Sequence, residues 1–283
     1  MLKENAEKEI MRSDILKEKI RERAFSMGAD LVGFAPASRW EEQGEVPEEF
    51  RPSFLWPWAS TVIVLGMGMP LPVVETTPSA YHMELYNTVN RELDGLGYHL
   101  AMFLCRQGIP AVFFPRDGYG SIKIILEKPK AAFSHKFAAK YAGLGSIGLN
   151  GVLLTRRFGP RVRFVSVIAG VELEPDPMET EDLCVKCLAC VRCCPVGAIH
   201  VDENRNWTGF DVMQCAKQAE ELTRRRCYPC GICTKVCPVG EDRELFKAKK
   251  SMRKYLKEKE ALKNDPDASE YRSWNHFRRW GSW

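Results

Sequence analysis

Ten cysteines fall within 54 residues, at positions 184, 187, 190, 193, 194, 215, 227, 230, 233 and 237, while the eleventh, Cys105, stands alone in the preceding stretch. What the other half of this 283-residue chain folds into must accommodate that window. The N-terminus, Met1-Leu2-Lys3-Glu4-Asn5-Ala6-Glu7, alternates charges and shows no apolar signal core, so a cytoplasmic location is expected. Thiols stay reduced there, and a cysteine cluster points to metal or redox chemistry rather than to disulfides. The longest apolar run, 61–74, is broken by Gly66, Gly68, Pro70 and Pro72 and is too short to cross a bilayer. With 45% hydrophobic and 28% charged residues, the chain has enough material for a packed core, which excludes disorder.

The spacing within the window is specific. Cys184-x2-Cys187-x2-Cys190-x3-Cys194-Pro195 places three thiolates around one cube, and a fourth, ahead of a chain-redirecting proline, on the other cube of a two-cluster protein. Two Cys-x2-Cys pairs would suffice for one tetrahedral zinc, and the Cys-Pro step would then have no role. A second motif ends Cys230-x2-Cys233-x3-Cys237-Pro238. Two [4Fe–4S] clusters with exchanged ligands are therefore expected: Cys184, Cys187, Cys190 and Cys237 on one, and Cys194, Cys230, Cys233 and an eighth cysteine on the other. Spacing leaves that eighth open between Cys227, which completes a second local motif, and Cys215, separated from Cys230 by fourteen residues. Cys193 reads as a bystander, and Cys105, inside a helical pattern, as a small buried apolar residue.

Ahead of the window, periodicity alternates. Residues 10–27 and 81–107 carry helical patterns, the second with Gly95 and Gly97 as weak points and Gly108 at its end. Residues 31–35, 61–67, 111–114, 121–126, 151–155 and 162–169 read as strands, 133–141 as a short helix, and 38–58 as a loop. The 61–67 run, Thr-Val-Ile-Val-Leu-Gly-Met, suits a strand buried on both faces. This favours an α/β domain over 1–175, an acidic proline-containing linker opening a ferredoxin-like module over 176–245, and a basic helix with an aromatic tail over 246–283. From Glu241 onward twelve Lys and Arg face eight Asp and Glu, which accounts for the net charge of +4. The aromatic residues Trp274, His276, Phe277, Trp280 and Trp283 are expected to cover the protein's own core.

Gly143-Leu-Gly-Ser-Ile-Gly148 contains a G-x-G-x-x-G string. In a dinucleotide site such glycines follow a strand and open a helix; here they follow a helix and precede a strand, which argues against nicotinamide cofactors. Close backbone approach or positive φ is what they retain.

Taken together, Ala142-Gly-Leu-Gly-Ser-Ile-Gly-Leu-Asn-Gly-Val-Leu-Leu-Thr155, Gly159-Pro-Arg161, the acidic linker and the first cysteine motif resemble the epoxyqueuosine reductase and reductive dehalogenase superfamily, over roughly residues 12–245. The resemblance implies a nitroreductase-like α/β domain holding base-off cobalamin, with Gly143, Leu144, Gly145, Ser146 and Gly148 against the corrinoid, and it selects Cys215 as the eighth ligand. It further implies a low-potential electron donor such as ferredoxin or flavodoxin, and a small-molecule or nucleoside-like substrate. The chain departs from epoxyqueuosine reductases where their general-acid aspartate would stand, because counting back from Gly143 lands on Pro129. No helical repeats follow Cys237 in its remaining 46 residues, so tRNA is not an expected partner, nor is a membrane. His135 is the first candidate for proton delivery, since its pKa lies near neutrality, followed by Tyr119, Asp117 and Lys123. The competing reading is a corrinoid-free two-cluster electron-transfer protein.

Overall fold

The computed structural model describes residues 2–116, 121–245, 251–265 and 267–279. Its centre is a four-stranded antiparallel sheet in the order β1 (Leu31–Pro36), β2 (Thr61–Gly68), β6 (Val162–Ala169), β3 (Ala111–Phe114). Side chains alternate across a strand, so β2 sends Ile63 and Leu65 to one face and Val62 and Val64 to the other, all four fully buried. That is why its sequence is apolar without a break.

Two long helices, Leu2–Ser26 and Ala80–Arg106, cover the first face, where Ile20, Phe34, Leu93, Leu100 and Val165 meet. The second face is covered by the short helix His135–Tyr141, by Trp40 and by the hairpin of β4 (Ser146–Ile147) and β5 (Leu153–Leu154). Residues 38–58, expected as loop, hold three short helical segments that seat Trp40 edge-on against Tyr141, their ring centroids 4.9 Å apart. Gly95 and Gly97 do not interrupt the long helix: a Cβ at Gly97 would meet Val165 Cγ2 at 2.9 Å, so this glycine sets how closely helix and sheet approach.

Two expectations are corrected. Residues 121–126 are not a strand; Ile122–Glu127 is a helix packed against the helix Val212–Arg224 of the cysteine module. β-branched residues favour strands only where a sheet edge receives them, and here tertiary contact decides. Cys105 lies on the outer face of its helix and is exposed, not buried. The turn expected at Asp117-Gly118 lies outside the described residues.

The cysteine module holds two short helices, Ala189–Cys193 and Ile232–Val236, packed together, a hairpin of β7 (Ile199–Val201) and β8 (Trp207–Phe210), and the helix Val212–Arg224. The acidic stretch before it is fastened down rather than loose. The Asp176 carboxylate accepts from the Phe34 backbone N–H at 3.1 Å and pairs with Arg21 and Lys17. Beyond the module, Tyr255 of the helix Ser251–Asn264 is buried against it, and Phe277 packs on Tyr81 at 4.6 Å. Trp280, Trp283 and the side chain of Trp274 lie outside the described residues. Among the described residues no helix is long and apolar enough to cross a membrane.

The two glycines of the long helix separate cleanly by experiment. Nothing lies within 4 Å of a Cβ built at Gly95, so Gly95→Ala raises stability by about 0.5–1 kcal/mol through helix propensity. Gly97→Ala lowers it by about 1–3 kcal/mol through overpacking. Urea unfolding of the two variants beside the parent measures both signs.

Candidate metal centre and the cavity beside it

Both cysteine motifs fold alike. A residue in left-handed backbone, Leu188 or Gly231, each at φ 62°, turns the chain into a single helical turn. The spacing puts Cys190 and Cys233 on those turns and Cys194 and Cys237 at their C-caps. Cys184, Cys187, Cys190 and Cys237 line one narrow cavity of about 20 Å³. Burial, then the nearness of Cys237, Cys184 and Cys187, pushes the Cys190 thiol up to about 12. The other set gathers from three segments. Burial pushes the Cys230 thiol up to about 11, with Cys215, Cys194 and Cys227 adding to it, and Cys233 is raised by burial and then by Cys230, Cys215, Cys190 and Cys194.

Burial disfavours the free thiolates of Cys190, Cys215, Cys230, Cys233 and Cys237, which suits these sets to groups that bring compensating positive charge. The donor chemistry fits two iron–sulfur cubes. Cys215, in the first turn of the helix Val212–Arg224, is raised by burial and by Cys194, whereas Cys227 is buried beside Arg225 and Glu221. Cys193 sits in a small apolar cluster with Ala189, Val236 and Tyr255.

The glycine segment is a bracket between the two halves. Gly143 (φ 74°) and Gly145 (φ 157°) leave no space for a Cβ, which would strike the carbonyls of Pro177 and Leu154 respectively. Their close approach is therefore to the protein's own backbone. Leu144 packs into the second core, and the Ser146 hydroxyl accepts from the Leu183 N–H at 2.9 Å, one residue before the first cysteine. Ser146 and Gly148 line a cavity of about 570 Å³ that also touches Lys136 and Cys184.

A third cavity, of about 320 Å³, opens between the sheet and the module, with Phe164, His135, Lys136 and Arg163 on one side and Tyr228 and Cys233 on the other. Among the described residues its lining includes three cations, Arg116, Lys136 and Arg163, and no Asp or Glu. His135 stands in the wall, with Nδ1 2.9 Å from Ser166 Oγ and Nε2 2.9 Å from the Pro115 carbonyl. A carbonyl only accepts, so Nε2 carries the proton and Nδ1 accepts from the serine. Lys136 borders both cavities; its ammonium donates to the Gly151 carbonyl at 2.9 Å, and burial lowers its pKa. Lys123 is exposed on its short helix, and Tyr119 and Asp117 lie outside the described residues. Sequence reasoning missed Lys136 and Arg163, because only the packing of the module over the sheet turns them toward a common space.

It also missed the role of Arg161. This guanidinium is 0% exposed and donates to both Asp242 oxygens at 2.5 and 2.6 Å and to the carbonyls of Thr234, Cys237 and Val239. Its neighbour Gly159 has no space for a Cβ because the Val239 carbonyl lies there. The Gly-Pro-Arg turn is where the sheet half grips the second cysteine motif.

Iron content separates the two candidates for the eighth ligand. Cys215→Ser leaves about four irons per chain after anaerobic reconstitution, and Cys227→Ser retains about eight, as measured by iron and sulfide analysis.

Residues 183–241 match the 4Fe-4S dicluster domain family. The epoxyqueuosine reductase of Bacillus subtilis strain 168 is 23% identical over 254 residues, 81% of this chain and 64% of that protein. The tetrachloroethene reductive dehalogenase of Dehalobacter restrictus is 25% identical over 225 residues, 74% of this chain and 36% of that one. A reductive dehalogenase whose structure bears on B12-dependent dehalogenation superposes with a TM-score of 0.63 at 22% identity, over 95% of this chain and 38% of its own. The chain thus spans less than two thirds of the length of these relatives. It is a homologue of the epoxyqueuosine reductases and the reductive dehalogenases, with a mixed α/β fold and a 4Fe-4S dicluster domain.

Proposed function

We propose that this chain is a reductase that uses two [4Fe–4S] clusters and a base-off cobalamin to reduce a small electrophile. The observation that carries the reading is the cavity of about 320 Å³ that has Cys233 in one wall and the His135–Lys136 pair in another. A space of that size falls in the range of cofactor and ligand sites, and Lys136 also lines a larger cavity of about 570 Å³. Cys184, Cys187, Cys190 and Cys237 would hold one cluster, and Cys194, Cys215, Cys230 and Cys233 the other. Arg163, Lys136 and Tyr86 would border the corrinoid. When bound, these groups supply one-electron reductions at low potential.

The protein's own residues then have three tasks. Apolar Phe164, Val162 and Leu153 exclude water from the cavity. Arg163 is oriented by its hydrogen bond to Asn90 at 3.1 Å and its stacking over Tyr86, and with Lys136 it favours an electrophile that carries negative charge. Proton delivery belongs to Lys136 rather than to His135. Both histidine nitrogens are engaged by Ser166 and Pro115, whereas a lysine ammonium has three protons and Gly151 takes one. Its lowered pKa makes the proton easier to release. A small acidic donor such as ferredoxin or flavodoxin is the partner that the cationic excess after Glu241 attracts.

Anaerobically reconstituted protein titrated with cobalamin tests the reading. It binds one corrinoid per chain with a base-off absorption spectrum, and Arg163→Ala weakens that binding by about tenfold or more. Lys136→Met retains iron and corrinoid and slows reduction of an accepted electrophile by about 10²-fold. Eight irons without any corrinoid binding would leave a two-cluster electron carrier.

A further inference from the structure

Asn150 is 5% exposed, and its amide nitrogen is buried without a hydrogen-bond partner. An unpaired buried amide N–H costs about 1–3 kcal/mol, so such a group points to a missing acceptor. The orientation of this amide is set by its other end: Oδ1 accepts from the Val152 N–H at 3.4 Å, which leaves Nδ2 as the free donor. The residue lines the narrow cavity shared by Cys184, Cys187, Cys190 and Cys237.

Its placement is built by the hairpin between β4 and β5. Gly148 N–H bonds the Val152 carbonyl at 3.0 Å and Gly151 N–H bonds the Gly148 carbonyl at 2.8 Å, which closes the tip. Gly151 adopts φ 72° to do so. A Cβ at Gly148 would lie 3.0 Å from Asn150 Oδ1 and 2.7 Å from Leu154 Cδ1, so the third glycine of the G-x-G-x-x-G string gives the asparagine its space. Cysteine sulfur and cluster sulfide are the acceptors that such a cavity offers.

We infer that Asn150 is a positioning residue of the sheet half that donates an N–H···S hydrogen bond to the cluster held by Cys184, Cys187, Cys190 and Cys237, and so raises the reduction potential of that cluster alone. The inference rests on the cluster assignment above. The physical reason is charge: a cluster that gains an electron becomes the better acceptor, so the bond favours the reduced state. The second set, around Cys194, Cys215, Cys230 and Cys233, has no corresponding contact with Asn150.

The test is an anaerobic redox titration of holoprotein followed by electron paramagnetic resonance, with Asn150→Leu beside the parent. Iron near eight per chain in the parent establishes the clusters; its absence overturns the assignment on which the inference stands. With the iron in place, Asn150→Leu shifts one of the two potentials downward by about tenfold in the one-electron equilibrium, or about 59 mV, and leaves the other unchanged. Two unchanged potentials, or equal shifts of both, overturn the inference. If Asn150→Leu fails to load its clusters, the parent alone decides. With asparagine labelled by ¹⁵N at the side chain, the pulsed spectrum of the reduced parent shows a ¹⁵N coupling to one cluster, and its absence overturns the inference.

Discussion

A buried guanidinium holds the two halves of this molecule in register. Arg161 leaves the sheet at a Gly-Pro-Arg turn and reaches Asp242 and three carbonyls of the second cysteine motif. A charge this deep is tolerated only because its donors are met by a carboxylate and oriented carbonyls; breaking such a pair costs about 3–5 kcal/mol. Cys237 is the focus. Its carbonyl accepts from Arg161 at 3.1 Å and from a second fully buried guanidinium, Arg243, also at 3.1 Å. Arg243 in turn bonds Glu75 and the Tyr255 hydroxyl. The cysteine that closes the first set of four is thereby fixed by both the sheet half and the C-terminal helix.

Other contacts across the same seam repeat that logic. Ser146 caps the entry to the first motif through Leu183. Thr77 donates to the Cys230 carbonyl at 2.6 Å and contacts His82 Nδ1 at 3.0 Å, while Gly231 leaves no room for a Cβ against the His82 ring. Burial holds His82 down to about 4, so it stays neutral near pH 7 and takes no proton in this setting. The module is therefore not an appended carrier on a flexible joint. Its cysteines and the cavity beside Cys233 share walls with the sheet, which is the arrangement a cofactor lying between them requires.

How much of this could be read from residues alone depends on the range of the interaction. The double-sided β2 run, the long 80–106 helix and the two cysteine motifs were legible, because each is a local pattern whose period or spacing carries the physics. The 121–126 segment was misread because its fate depends on a helix ninety residues away in sequence. The choice between Cys215 and Cys227 is invisible in spacing; Cys215 comes near both Cys194 and Cys230, and Cys227 comes near Cys230. Arg161, Lys136 and Asn150 escaped for the same reason: an arginine after Gly-Pro, a lysine after histidine and an asparagine between glycines acquire meaning only from what lies across the seam. The glycine string was legible in part, since Gly143 and Gly145 adopt the positive φ that its pattern allowed. Its demand for close approach was legible, but the approaching atoms are the carbonyls of Pro177 and Leu154.

The central claim is that eight cysteines form two neighbouring cages, one completed by Cys237 and the other by Cys194 and Cys215, all from outside the respective Cys-x2-Cys runs. Cys233 lies near Cys190 of the other set, so clusters held by the two sets would be neighbours. The most direct measurement is the electron paramagnetic resonance spectrum of the fully reduced holoprotein. The account predicts about two spins per chain with features split by mutual coupling. A single uncoupled signal of about one spin per chain would contradict it.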